Sequence, residues 1–149
     1  MSVERNLQRV ETWRQAVNNR DLEGVVMCYA PEAHVWSPRL ELVFGPGGIQ
    51  GRDAIREQQQ VFFDTWPDGI VTCDEVFAVD NRVVLRGEMG GTHSTPYTIP
   101  DGPTFPPTGN DAKAYIAAIF TIDGDGLIAE NLEYYDYLSL VQKVGLNFP

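Results

Sequence analysis

Tyr134-Tyr135-Asp136 closes a stretch with strand character near the end of the chain. Alternation along that stretch puts Glu130, Leu132, Tyr134 and Asp136 on one face. If that face lines an apolar interior, the Asp136 carboxyl loses water. Its pKa then rises, and it can take and return a proton near neutrality. The same residue stands just before a segment that reads as a helix from Leu138, where an aspartate also caps free backbone N–H groups. Both roles fit the sequence. His93 ends another strand and shares a face with Val83, Leu85, Gly87 and Met89. A neutral imidazole there can donate a hydrogen bond to a carbonyl, move a proton, or serve as a satisfied structural histidine. Glu130 either joins the inward row or pairs with Arg82 or Arg86 in the sheet, and His34 reads as half-buried on a short strand.

Other chemistries lack their residues. With histidines only at 34 and 93, there is no H-E-x-x-H and no three-histidine zinc site. No serine sits in G-x-S-x-G, and no G-x-G-x-x-G or P-loop is present. Cys28 lies within a helical pattern. It and Cys73 form no C-x-x-C and read as reduced, half-buried hydrophobes. Asp123-Gly124-Asp125-Gly126 opens like a calcium loop, but Leu127 and Tyr134 occupy the fifth and twelfth positions, so it reads as a hairpin turn. No metal site is expected.

The elements that must position these groups follow from periodicity. Leu7, Val10, Trp13 and Val17 recur at spacings of three and four and predict a helix over 3–19. Asp21 caps a second helix carrying Leu22, Val25, Val26 and Tyr29, which Pro31 ends. Residues 33–37 read as a short strand stopped by Pro38, and 38–50 as a Gly- and Pro-rich loop. A third helix opens at Gly51-Arg52-Asp53, presents Ile55, Gln59, Phe62 and Trp66, and closes at Pro67. The period then changes to two. Strands are expected over 70–79 and 82–92 around an Asp80-Asn81 turn, then over 112–122 and 127–137. A long excursion covers 94–110, and a short helix covers 138–146. Helices first and antiparallel strands later is α+β logic. The strand at 112–122 is apolar on both faces: Ala114, Ile116, Ala118 and Phe120 on one, Tyr115, Ala117 and Ile119 on the other. One face can meet a helix or cavity and the other a second subunit, so a homodimer or a higher homo-oligomer is expected.

The chain has 149 residues, 43% hydrophobic and 21% charged, which suits a single globular domain spanning 1–149. Its formal charge of −10 would be repelled by a phosphate backbone or an anionic membrane face, so neither nucleic acid nor membrane is an expected partner. No window approaches 18 consecutive apolar residues, and the N-terminus leads into an amphipathic run rather than a signal region. A cytoplasmic location is the expectation.

The order of elements together with Trp66-Pro67-Asp68, Gly91-Thr92-His93, Pro106-Pro107-Thr108-Gly109, Gly126-Leu127-Ile128-Ala129-Glu130, Tyr134-Tyr135-Asp136 and Leu140-Val141-Gln142-Lys143-Val144-Gly145-Leu146 resembles the SnoaL-like polyketide cyclases of the nuclear transport factor 2-like superfamily. The resemblance implies a cone-shaped α+β fold, with a curved antiparallel sheet wrapped around N-terminal helices and an apolar pocket inside. It implies cofactor-free intramolecular aldol closure of a hydrophobic polyketide or related carbonyl compound. The acid–base aspartate falls on Asp136 and its assisting histidine on His93. Trp36, Ser37, Phe62, Trp66, Met89, Tyr115, Glu130 and Tyr134 are the expected pocket residues. Dehydration, isomerisation, epoxide opening, hydroxylation or non-catalytic binding would use the same kind of cavity.

Overall fold

The structure is a computed structural model that describes residues 2–147. Helix α1 (Val3–Asn18) starts where the Ser2 hydroxyl accepts from the Arg5 N–H at 3.1 Å. Its stripe of Val10, Trp13, Ala16 and Val17 is buried, with Trp13 edge-on to Phe120 at 5.1 Å between ring centroids. Asp21 caps α2 (Leu22–Met27) by accepting from the Gly24 N–H at 3.0 Å. The chain enters β1 (Tyr29–Trp36) earlier than its periodicity suggests, with Pro31 inside the strand. The loop expected over 38–50 is in part a helix, α3 (Pro38–Phe44), followed by the short strand β2 (Ile49–Gln50). Ser37 supplies the cap and Pro38 the first helical position, where a missing N–H costs nothing.

Helix α4 (Arg52–Thr65) leads to β3 (Ile70–Val71), β4 (Glu75–Val79) and β5 (Arg82–Gly90). The strand expected over 70–79 is thus two short ones. The excursion carries its own small hairpin, β6 (Tyr97–Thr98) with β7 (Thr104–Phe105). Strands β8 (Ala114–Ile122) and β9 (Ile128–Tyr135) and helix α5 (Tyr137–Lys143) complete the chain. The main sheet runs β2-β1-β9-β8-β5-β3, with β4 also paired to β5. Its pairs are antiparallel except β1 with β9, which is parallel because the chain crosses the sheet between them. The fold is α+β, a strongly curled sheet closing around α1 and α4.

Two side-chain clamps lie at and just after the end of α1, one to the sheet and one to the end of α4. Asn18 bonds both backbone groups of Val71, donating to its carbonyl at 3.0 Å and accepting from its N–H at 2.8 Å. Arg20 donates to the carbonyls of Phe63 at 2.8 Å and Trp66 at 2.6 Å, and lies over the Phe63 ring at 4.7 Å. These carbonyls belong to the end of α4, where the last carbonyls lack helical partners. The clamp therefore anchors the stretch that carries Phe62 and Trp66. No helix of the described residues is long and apolar enough to cross a membrane.

Candidate active site

The concave side of the sheet and the inner faces of α1, α3 and α4 enclose a cavity of about 130 Å³, close to the size that accepts a benzene ring. Apolar side chains form most of its wall, including Val17, Val35, Ile55, Phe62, Trp66 and Ile116. The polar groups are few, and strand parity explains which they are. On β8 the buried row is Ala114, Ile116, Ala118, Phe120 and Ile122. Across from it, Phe120 pairs with Asn131, Ala118 with Glu133 and Ile116 with Tyr135. Opposite residues share a face, so Asn131, Glu133 and Tyr135 point inward.

This overturns the alternation expected for this strand. Ile128 pairs with Ile122, yet Glu130 pairs with Thr121, so the register slips by one residue at Ala129. A bulge of that kind adds a residue to one strand and reverses the facing of everything beyond it. Ile128 is inside, and Glu130, Leu132 and Tyr134 are outside. Read without the bulge, the apolar row of Ile128, Leu132 and Tyr134 looks like the core row.

Glu133 is the only carboxylic acid, and Arg39 the only cation, among the described residues lining the cavity. The fully buried Asn131 amide donates to Glu133 Oε1 at 2.9 Å and to Tyr29 Oη at 3.0 Å. Burial pushes the Glu133 carboxyl up from 4.5 to about 7, against the lowering effect of the Asn131 bond. Desolvation exceeds one hydrogen bond here because no cation sits close enough to hold the charged form. The Tyr29 and Tyr135 phenols are pushed well above their ordinary value, mainly by burial and further by the nearby Glu133 charge. Both therefore stay protonated and can donate. Trp13 also lines the cavity, with its indole N–H buried and turned to no acceptor within hydrogen-bond geometry among the described residues.

Of the residues expected at the pocket, Ser37, Phe62, Trp66 and Met89 line it. Trp36, Tyr115, Glu130 and Tyr134 lie outside it. Trp36 and Tyr134 pack together at 5.1 Å, Glu130 pairs with His34 Nδ1 at 3.1 Å, and Tyr115 is 74% exposed. Asp136 and His93 do not meet in the cavity either. Asp136 is exposed, and its Oδ1 accepts from the Ser139 N–H at 3.0 Å, capping α5. His93 is buried at the base of the excursion, where its Nδ1 accepts from the Thr108 N–H at 3.2 Å and contacts Thr108 Oγ1 at 2.8 Å. Its backbone N–H donates to the Asn110 carbonyl at 2.8 Å, so the residue ties both ends of that loop.

With the curled sheet, the cavity and its inward carboxyl in view, comparison with known proteins gives one family. The SnoaL-like domain matches residues 10–131. The chain belongs to the SnoaL-like family. Solved structures of similar shape include IdmH from Streptomyces antibioticus, provisionally a polyketide cyclase, at 22% identity and TM-score 0.78, covering 95% of this chain and 99% of that one. A provisional polyketide cyclase from Xanthomonas campestris has 22% identity and TM-score 0.78, covering 96% and 98%. AclR from Streptomyces galilaeus, provisionally a hydroxylase, has 17% identity and TM-score 0.77, covering 97% and 98%. At these identities the likeness concerns the fold. No curated protein is similar enough to count as a relative.

Sequence reasoning passed over Tyr29, Arg39, Asn131, Glu133 and Tyr135. A signal for the last three was present: the inner row of the strand at 112–122 was legible. Pairing it across the Asp123–Gly126 turn fixes the parity of the next strand without reference to Ile128.

Proposed function

We propose that this SnoaL-like protein is an acid–base enzyme acting on an enolisable ketone of polyketide type, with Glu133 as the proton carrier. The observation that carries this reading is a single carboxyl facing an apolar cavity that can hold a carbonyl compound beside it. Glu133 in its ionised form takes a proton from the carbon next to a carbonyl. The electron pair moves onto the carbonyl oxygen, where a hydroxyl such as that of Tyr135 donates to the developing enolate. In an intramolecular aldol closure the carbon then attacks a second carbonyl of the same molecule, forming one C–C bond. The proton held by Glu133 goes to the new alkoxide. No atom is lost and no redox change occurs. Dehydration or double-bond isomerisation would begin with the same proton transfer. A pKa of about 7 suits this task, since both protonation states are populated near neutrality. Asn131 acts as a positioning residue that orients the carboxyl. The convex face of the sheet is the proposed site of self-association.

The test is deuterium uptake at the acetyl methyl of 4-acetylbenzamide in D2O, followed by proton NMR. Wild-type protein should accelerate it, and Glu133→Gln should lower that acceleration by about two to four orders of magnitude. An undiminished rate in Glu133→Gln would reject the reading.

A further inference from the structure

At the mouth of the cavity stands Arg39, in the first turn of α3, half-buried and shared between the cavity and a shallow groove with Leu42, Val43 and Thr98. Its one side-chain partner among the described residues is neutral: Nη1 donates to Gln58 Oε1 at 3.1 Å. No carboxylate among the described residues lies within ion-pair distance of it, although Asp101 lines the same groove. This happens in a chain where acidic residues outnumber basic ones 21 to 11. A guanidinium held beside an apolar cavity with only an amide for company keeps N–H donors available to a ligand. Further donors share the cavity. Tyr97 and Tyr135 line the cavity with it, and Tyr97 Oη contacts Tyr137 Oη at 2.8 Å.

We propose that Arg39 binds a carboxylate on the substrate, at the end of the molecule remote from the carbon that Glu133 deprotonates. The occupant follows from charge and shape. One planar guanidinium with its remaining N–H groups free matches one planar carboxylate, whereas a phosphate dianion would call for a second cation. Glu133 faces the cavity from β9 and Arg39 stands at its mouth, so a ligand that reaches both carries its ketone at one end and its acid group at the other. The inference rests on the acid–base reading of Glu133 for the orientation of the ligand. It adds that the substrate is a keto acid rather than a neutral ketone.

The experiment compares the binding of 4-acetylbenzoate and 4-acetylbenzamide, which differ in charge and little in shape, by isothermal calorimetry. In wild-type protein the carboxylate should bind about tenfold more tightly or better. In Arg39→Met, which keeps the apolar stem, the two should bind alike. In Arg39→Lys, which keeps the charge and loses the fork, an intermediate preference should remain. Equal affinity in wild-type protein, or a preference that survives in Arg39→Met, would overturn the proposal, and the wild-type comparison needs no variant to fold. The two readings fail separately. Deuterium uptake by the neutral amide reports on Glu133, and the carboxylate preference reports on Arg39.

Discussion

Glu133 carries an energetic signature that a structural carboxyl on the surface lacks. Its pKa is raised from 4.5 to about 7, so the folded state binds the proton more tightly than the unfolded state does. Its contribution is fully favourable below pH 4.5 and is lost as the pH rises through about 7. The loss amounts to no more than about 3 kcal/mol, since each unit is worth about 1.4 kcal/mol and the cavity admits some solvent. Glu133→Gln should therefore raise the melting temperature relative to wild type at about pH 8 and change it much less at about pH 5. Thermal unfolding at both values reads this, and a constant difference between them would contradict it. His93 behaves in the opposite sense. Burial holds its pKa below 6.5, so its contribution is intact above that value and is lost as the pH falls below it. Replacing it with Gln should flatten the acid limb of the stability profile. Proteolysis within 94–110 should become faster, because the imidazole closes the base of that loop.

At the scale of elements, α3 decides where Arg39 stands. The Ser37 hydroxyl is buried and accepts from the Leu40 N–H at 3.2 Å, and Pro38 presets the first turn. Ser37→Ala should cost about 1 kcal/mol in urea unfolding, the usual worth of a helix cap. It should also weaken 4-acetylbenzoate more than 4-acetylbenzamide, because the first turn holds the guanidinium. An unchanged affinity ratio would mean that the cap does not position Arg39. The sequence carried this cap in plain view, yet Pro38, Gly45, Pro46, Gly47 and Gly48 made a loop the more natural reading. The longer elements were legible because their periods are long enough to speak for themselves: α1 through Val10, Trp13 and Val17, and β8 through its two apolar rows. The bulge at Ala129 was not legible. It is a property of pairing between strands, and one residue of slip there moves the inward carboxyl from Glu130 to Glu133.

The whole molecule has two faces of different character. The concave side encloses the cavity. The convex side bears Phe77, Val79, Tyr115 and Tyr134, each between 48% and 74% exposed, beside Ala117, Ile119 and Leu132. We propose that this apolar stretch, flanked on the same face by Arg82, Arg86 and Glu88, is where two copies of the chain meet. A dimer or larger assembly should sediment at micromolar concentration and dissociate in a Phe77→Lys/Tyr115→Lys double variant. A monomeric wild type would contradict this. Two late carboxyls have different settings: Glu133 lines the cavity, and Asp136 is exposed at the cap of α5. The most direct measurement sets these two against each other. Deuterium uptake by 4-acetylbenzamide is followed in wild type, Glu133→Gln and Asp136→Asn. The account predicts a loss of about two to four orders of magnitude in Glu133→Gln and a rate near wild type in Asp136→Asn, whose amide still caps the helix. A near-wild-type rate in Glu133→Gln, with the loss falling on Asp136→Asn instead, would contradict it.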